Sequence, residues 1–307
     1  MHIPDGFVSP PVAAVTSLAT VAAVALALGR SRDALGGRRA PLVGLTTAFI
    51  FAAQMINFPV AGGTSGHLLG GTLAAIVLGS PWAGTLCITT VLLIQAVLFA
   101  DGGITALGAN ALNMAVIGVW VGWGLTQVLQ RLLGGSKGRL PLAAGIAAAL
   151  SVIPAAIACA IELILSGTAP ANLVLPAMTG VHILIGVGEG IITGGVLAYL
   201  ANVRPDLLPG EQPQLRGWLV PVVATFLVAG VLSLLASGWP DGLERVAEDL
   251  GFIDLAEIVR IEVPTPFADY GIEGWGAIGT SIAGIVGTAV CFGVAFGLSQ
   301  LVKPNHA

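Results

Sequence analysis

Two histidines stand at positions where they could bind a metal ion: His2, next to the chain start, and His67, in a polar loop. A histidine at position 2 offers three nitrogens to one ion, namely the α-amine of Met1, its own backbone amide and its imidazole. Because the chain joins these nitrogens, they close two adjacent chelate rings in one plane. One more nitrogen completes a square, an arrangement that suits Ni²⁺ and Cu²⁺ and that low-spin Co²⁺ also accepts.

His67 is the candidate for the fourth nitrogen. It follows a loop, residues 57–66, that contains polar side chains and three glycines, so the backbone can turn sharply there. A metal must displace the proton of the His2 amide, so ion capture is expected to depend strongly on pH. Met1 must also be retained and unblocked, and the bulky His2 disfavours its removal. On the residues alone, an ordinary histidine in a frayed terminus remains the competing interpretation.

Composition predicts that these groups are positioned by membrane helices. The 307 residues are 56% hydrophobic and 9% charged, whereas soluble domains are about 25% charged. The apolar runs reach about twenty residues without two-residue alternation, which favours helices over a barrel. The net charge of −4 and scattered basic residues do not indicate a nucleic-acid partner. Cys87, Cys159 and Cys291 lie alone in separate apolar runs, as core residues do.

The apolar runs predict an all-α polytopic membrane protein with about nine transmembrane helices. The candidate spans are residues 8–29, 40–59, 67–79, 82–100, 108–130, 141–166, 174–201, 217–237 and 276–301. With the N-terminus outside and the C-terminus in the cytoplasm, ten of the twelve basic residues lie on the inner side, as the positive-inside rule requires. These ten are Arg30, Arg32, Arg38, Arg39, Arg131, Lys137, Arg139, Arg204, Arg216 and Lys303, and the outer two are Arg245 and Arg260. No basic residue precedes the first apolar run, which favours an uncleaved helix over a signal peptide.

The chain is predicted to divide into two parts. A seven-helix unit, residues 1–201, is followed by a cytoplasmic linker rich in Pro and charge, 202–216, and a two-helix appendix, 217–307. The appendix contains an extracytoplasmic loop, 238–275, with nine acidic residues, in which 243–259 has the pattern of an amphipathic helix. We find no internal repeat of the kind typical of secondary transporters.

Four segments of the first part carry recognisable motifs, in order along residues 1–201. They are Met1-His2-Ile3-Pro4-Asp5-Gly6-Phe7, Gln54-Met55-Ile56-Asn57-Phe58-Pro59-Val60, Thr64-Ser65-Gly66-His67-Leu68-Leu69-Gly70-Gly71 and Asp101-Gly102-Gly103-Ile104-Thr105-Ala106-Leu107-Gly108-Ala109-Asn110. These motifs resemble the CbiM/NikM family, the substrate-capture (S) components of energy-coupling factor (ECF) transporters for cobalt and nickel. In the appendix, Pro240-Asp241-Gly242-Leu243-Glu244 and Pro266-Phe267-Ala268-Asp269-Tyr270 resemble the PDGLE domain, which is similar in role to the CbiN/NikN subunits.

The resemblance implies a specific site and specific partners. The metal ligands of the family correspond to Met1, His2 and His67, and the transported ion is Ni²⁺ or Co²⁺, with nickel slightly favoured by the fused appendix. The resemblance also implies residence in a prokaryotic inner membrane and no enzymatic activity. The chain contains no G-x-x-x-x-G-K-[ST] loop. It is therefore expected to need a transmembrane coupling (T) protein and a pair of cytoplasmic ATPases, and no further cofactor.

Other polar residues have less certain roles. Asn57, Ser65, Gln95 and Asn110 are candidate partners for the ligating imidazoles, on position alone. Glu162, His182 and Glu189 lie within predicted spans, where ionisable groups are costly. A buried structural pair is the favoured interpretation of His182 and Glu189. The alternative is a proton-coupled secondary transporter that uses them as a relay, and an intramembrane enzyme lacks a motif such as H-E-x-x-H. His306 is expected in a solvated tail.

Overall fold

A computed structural model describes residues 1–35, 39–209, 211, 213–214, 217–258 and 265–301, without the side chains of residues 33, 34 and 257. Several predictions fall outside these residues. They concern the inner Arg38, Arg216 and Lys303, the outer Arg260, Glu262 as one of the nine acidic residues of the loop 238–275, and the tail that contains His306.

The described chain is almost entirely helical. The helices are α1 (Pro10–Arg30), α2 (Arg32–Leu35), α3 (Ala40–Gln54), α4 (Gly71–Leu78), α5 (Pro81–Ile94), α6 (Leu107–Asn110), α7 (Val119–Leu132), α8 (Leu140–Leu165), α9 (Ala171–Val203), α10 (Leu219–Gly230), α11 (Gly242–Leu250), α12 (Leu255–Ile258) and α13 (Gly276–Leu301). Wider π-helical turns extend α5 over Gln95–Phe99 and join α6 to α7 over Ala111–Gly118. Short 3₁₀ turns occur at Lys137–Arg139, Pro205–Leu207, Leu232–Leu235 and Ala268–Tyr270. Strands β1 (Phe58–Pro59) and β2 (Ser65–Gly66) pair antiparallel, with Phe58 opposite Gly66.

Among the described residues, six helices are long and apolar enough to cross a membrane. They are Pro10–Arg30, Pro81–Phe99, Leu107–Leu132, Lys137–Leu165, Ala171–Val203 and Gly276–Leu301. The shorter apolar helices Ala40–Gln54 and Leu219–Leu235 lie within two further predicted spans. The prediction of an all-α, multi-pass membrane protein is therefore confirmed. The count of about nine spans and the orientation stay predictions.

The predicted span 67–79 is the one that differs most from the structure. Helix α4 begins only at Gly71, because Gly70 before it has a φ of +75°, and it ends at Leu78, because Gly79 after it has a φ of +68°. Eight residues of α-helix are about 12 Å long, too short for a hydrocarbon core of about 30 Å. His67 consequently lies in the non-helical segment between β2 and α4.

Glycine permits close contact between the helices. A Cβ on Gly145 of α8 would lie 2.9 Å from the carbonyl oxygen of Gly190 of α9, so the two backbones touch. Helix α13 of the appendix approaches α3 of the first unit in the same way. A Cβ on Gly44 would lie 3.0 Å from the ring of Phe292. The appendix is thus packed directly against the first unit.

The acidic loop of the appendix contains the predicted amphipathic helix, in two pieces. Asp241 and Glu244 form a reciprocal capping box that starts α11, and Gly251, with a φ of +75°, ends it. The short α12 follows at Leu255–Ile258. Leu243 and Val246 of α11 are buried, so this helix is packed onto the first unit by its apolar face.

Candidate metal centre

The first residues of the chain form a buried segment rather than a frayed end. Met1 is 3% exposed and Ile3 is completely buried. The backbone amide of Ile3 donates to Oδ1 of Asn110 (2.7 Å), and the side-chain amide of Asn110 donates back to the Ile3 carbonyl (3.0 Å). The Gly103 amide also donates to that carbonyl (2.8 Å). The end of helix α6 and the loop before it therefore hold the chain start in place.

The loop that carries His67 is fixed from α9 and α3. Both carboxylate oxygens of Glu189 accept hydrogen bonds from successive amides, those of Leu69 (2.6 Å) and Gly70 (3.0 Å). The Gln54 amide donates to the Leu69 carbonyl (2.8 Å). Nδ1 of His67 donates to the Leu68 carbonyl (3.0 Å), and a carbonyl can only accept. Nδ1 therefore carries the proton, and Nε2 of His67 keeps its lone pair.

The terminal amine and the two imidazoles come together. The Met1 amine lies 2.9 Å from Nε2 of His67. The rings of His2 and His67 are stacked, with their centroids 4.9 Å apart and their planes 18° from parallel. Two nitrogens bound to one ion at about 2.0 Å and at right angles lie about 2.8 Å apart. The amine and His67 already have this separation.

The appendix contributes a carboxylate to this cluster. Oδ2 of Asp241 lies 2.5 Å from the Met1 amine and 3.9 Å from Nε2 of His67. The other oxygen of Asp241 accepts from the amides of Leu243 (2.7 Å) and Glu244 (2.9 Å). The same side chain thus starts helix α11 and pairs with the chain's terminal charge.

A second carboxylate faces His2. Nδ1 of His2 lies 3.0 Å from Oδ1 of Asp101. The hydroxyl of Tyr270 from the appendix donates to the other oxygen of Asp101. Tyr270 accepts in turn from Gln95 (2.9 Å), which also donates to Gln54 (2.9 Å). A continuous line of contacts therefore runs from His2 through the appendix to the loop of His67.

The protonation states at the site favour the binding of a cation. Burial, together with the positive charge of the terminal amine, lowers the pKa of His67 from 6.5 to about 3, so its imidazole is neutral near pH 7. Burial alone would raise the pKa of Asp101, but the contacts with His2 and Tyr270 lower it to about 2. The amine outweighs burial in the same way and lowers the pKa of Asp241. Two carboxylates therefore remain charged beside the nitrogens.

A polar cavity of about 340 Å³ lies beside these groups. Four carboxylates line it, two from the cluster, Asp101 and Asp241, and two from the appendix loop, Glu244 and Asp269. Neither at this cavity nor anywhere else in the described chain are three His, Cys, Asp or Glu side chains arranged to hold one metal ion. A metal site at this cavity would therefore require the terminal amine and a backbone amide in addition to the two imidazoles.

The four residues predicted as partners of the imidazoles lie near the cluster without touching a ring nitrogen. Asn110 holds Ile3, and Gln95 supports Tyr270, as described above. The Ser65 hydroxyl donates to the Trp239 carbonyl (2.8 Å), which ties the hairpin to the appendix. Asn57 lines the cavity and accepts from the Ser237 amide through its carbonyl (2.7 Å). Their assignment to a supporting shell stays a prediction.

The three ionisable residues within the spans are buried and separate from one another. Glu162 accepts from the Asn113 amide (2.7 Å), and His182 contacts the Met178 carbonyl through Nδ1 (2.8 Å). Glu189 accepts the two amides described above. Both oxygens of Glu189 have partners, whereas the buried Nε2 of His182 has none among the described residues. His182 and Glu189 do not contact each other, and the roles of all three residues stay predictions.

Three residues at the centre were not predicted from the sequence, namely Asp101, Asp241 and Tyr270. Each belongs to a motif that the sequence does display: Asp101 begins one, Asp241 is the second residue of another, and Tyr270 ends a third. A polar residue within such a motif was the available signal. The two appendix residues were missed because nothing in the sequence indicates that the acidic loop folds over the N-terminus.

The chain is similar to known metal transport proteins. Residues 2–207 match the family model CbiM, described as the cobalt uptake substrate-specific transmembrane region, and residues 216–304 match the PDGLE domain. A putative fused nickel transport protein NikMN from Archaeoglobus fulgidus is 39% identical over 99% of both chains. The fused nickel transport protein NikMN of Rhodobacter capsulatus is 38% identical over 81% of this chain and 76% of its own.

Cobalt proteins and a solved structure are also similar. The cobalt transport protein CbiM of Geobacter sulfurreducens is 33% identical over 81% of this chain and 77% of its own. A crystal structure described as a truncated transition metal transporter superposes with a TM-score of 0.59 at 37% identity, covering 66% of this chain and 98% of that one.

Proposed function

This chain belongs to the CbiM family and carries a PDGLE domain behind the family region, and on that basis we propose that it captures Ni²⁺ or Co²⁺ as the S component of an ECF importer. The observation that carries the proposal is the 2.9 Å separation between the Met1 amine and Nε2 of His67. His2 lies between them in the chain and supplies its amide and imidazole. These four nitrogens make a square around the ion.

Charge supports a divalent metal as the cargo. A divalent ion bound to one deprotonated amide, one amine and two neutral imidazoles forms a complex of charge +1. Such a charge is expensive to bury unless it is paired. Asp101 and Asp241, which stay ionised, provide the compensation.

We place the site at the outer face of the inner membrane. In that orientation the predicted spans leave ten of the twelve basic residues on the cytoplasmic side. ATP hydrolysis is assigned to partner ATPases joined through a T protein, because this sequence contains no phosphate-binding loop of the P-loop kind. Nickel is favoured over cobalt, since the relatives that also combine both parts, from Archaeoglobus fulgidus, Rhodobacter capsulatus and Lactiplantibacillus plantarum, are named as nickel transport proteins.

Reconstitution tests this function. The chain is placed in liposomes with and without its T protein and ATPases. Uptake of radioactive nickel and cobalt is followed with and without ATP on the side of the membrane that carries the ATPases. We expect uptake that needs every partner and ATP and is lost in His2→Ala. Uptake driven by a proton gradient without ATPases would instead support the secondary transporter that uses His182 and Glu189.

A further inference from the structure

We propose that Asp101 and Tyr270 form a latch that holds the imidazole of His2 away from its metal-binding position, so that the PDGLE part controls when the chelate closes. The latch rests on the proposed function, since it has meaning only if Met1, His2 and His67 bind the ion. It assigns to Tyr270 a positioning role: this side chain acts on His2 through Asp101.

The conformation of His2 is the first observation. A chelate that starts from the His2 amide can close a six-membered ring only through Nδ1, because Nε2 lies on the far side of the imidazole. In the structure this Nδ1 faces Oδ1 of Asp101 at 3.0 Å. The buried Nε2 has no hydrogen-bond partner among the described residues. The nitrogen required for chelation is therefore engaged elsewhere.

Ring geometry leads to the same conclusion. An imidazole lone pair lies in the plane of its ring. The rings of His2 and His67 are stacked with planes only 18° from parallel, so the two lone pairs lie in displaced planes and cannot both point at one ion. His67 and the Met1 amine already have the separation that a square requires. His2 is thus the one ligand that must move.

The latch is itself held by the appendix. The Tyr270 hydroxyl donates to Asp101 and accepts from Gln95. The Tyr270 ring stacks on that of Phe99, with centroids 5.0 Å apart. The Phe267 amide donates to the Leu98 carbonyl (3.0 Å), which adds a main-chain tie between the segment Pro266–Tyr270 and the end of α5. These contacts fix Asp101 from the side of the PDGLE part.

The backbone at the latch is strained. Ala100, Asp269 and Tyr270 are the only non-glycine residues of the described chain with positive φ, at 54°, 52° and 56°. All three line the cavity beside His2. Strained residues persist only while surrounding contacts hold them, and they concentrate at switch regions. Loss of the Tyr270 contact would therefore free both Asp101 and the segment that carries Tyr270.

The latch is tested by removing one hydroxyl. Tyr270→Phe keeps the aromatic ring and leaves every formal charge unchanged, so the attraction of the site for cations is the same. Tyr199→Phe is the matched control, because Tyr199 is the chain's other tyrosine and is half exposed on α9. The full-length proteins in detergent are mixed rapidly with NiCl₂, and the absorption band of square-planar nickel is followed in time.

We expect Tyr270→Phe to bind nickel about tenfold faster than the wild type, since a hydrogen bond to a charged group is lost from the latched conformation only. The final spectrum should be that of the wild type, and Tyr199→Phe should match the wild type in rate as well. An unchanged or slower rate in Tyr270→Phe overturns the latch while the proposed function stands. If the wild type binds neither nickel nor cobalt, both the latch and the proposed function are contradicted.

Hydrogen exchange provides a readout that needs no variant. Adding nickel to the wild type should speed exchange of the Phe267 and Tyr270 amides, because closing the chelate releases their segment. The amides of Leu69 and Gly70, which Glu189 holds, should stay protected. Equal or greater protection of the Phe267 amide after nickel binding contradicts the latch, even if Tyr270→Phe does not fold.

Discussion

The α-amine of Met1 lies 2.9 Å from Nε2 of His67, although 66 residues separate them in the chain. The amine reaches this position because Asn110 and Gly103 hold Ile3, and Nε2 is accessible to it because Nδ1 donates to the Leu68 carbonyl. The first and fourth nitrogens of the proposed square are therefore brought together by main-chain contacts.

Asp241 is expected to hold the amine in place for the metal. Asp241→Asn keeps a good N-cap for α11, since asparagine caps as well as aspartate, but it removes the ion pair with Met1. We predict that the nickel dissociation constant rises about tenfold, because the bound complex of charge +1 loses one of the two carboxylates that compensate it. Calorimetric titration measures it.

Asp249→Asn is the control for that variant. Asp249 lies on the same helix and loses the same charge, but it pairs with the exposed Arg245. Its nickel affinity should equal that of the wild type. A similar weakening in both variants would mean that net charge, and not the contact with Met1, sets the affinity.

Glu189 is expected to position His67 rather than relay protons. In Glu189→Gln the carboxamide has only one acceptor oxygen. Either the Leu69 or the Gly70 backbone amide therefore loses its acceptor and faces the NH₂ group of the glutamine, which is also a donor. A buried unsatisfied group costs about 1–3 kcal/mol. We predict a lower melting temperature together with weaker nickel binding.

Glu162→Gln separates the two effects. Glu162 is the other buried glutamate of the described spans, and it bonds Asn113, away from the loop of His67. This variant should change the melting temperature and leave nickel affinity unaltered. If Glu189→Gln binds nickel normally but cannot transport it, the relay interpretation gains support instead.

The lowered pKa of His67 predicts a pH dependence of stability. The folded value is about 3 and the ordinary value is 6.5, so the unfolded chain takes up a proton at His67 between these limits and the folded chain does not. The stability contributed by neutral His67 is complete above pH 6.5 and is lost as pH falls towards 3, by up to about 1.4 kcal/mol per pH unit.

Thermal unfolding of the wild type and His67→Gln from pH 7 to about pH 4.5 checks this dependence. The wild-type melting temperature should fall relative to that of the variant as the pH decreases, because glutamine does not titrate. Parallel curves would show that the folded protein protonates His67 as easily as the unfolded chain does.

The membrane fold was largely predictable from residue types, because apolar runs indicated the spans. The terminal chelate stays a prediction, which the identity of residue 2 suggested and the resemblance to a known family favoured. The beginning of α4 was not predictable, because Leu68 and Leu69 are good helix formers. Their non-helical path depends on Glu189, which is 120 residues from Leu69 and 119 from Gly70. The contacts of Asp101, Asp241 and Tyr270 likewise depend on how the appendix packs, and spacing along the chain does not encode that.

The most direct test is a calorimetric titration of Ni²⁺ and Co²⁺ into the native protein and into a form with two extra N-terminal residues. The extension moves the amine away from His67 and converts the Met1 nitrogen into an amide, while His2 and His67 themselves are unchanged. The account predicts one tight site in the native protein and its loss in the extended form, with His182→Ala binding as the wild type does. Equal binding by the native and extended proteins would contradict the terminal chelate and place the site elsewhere.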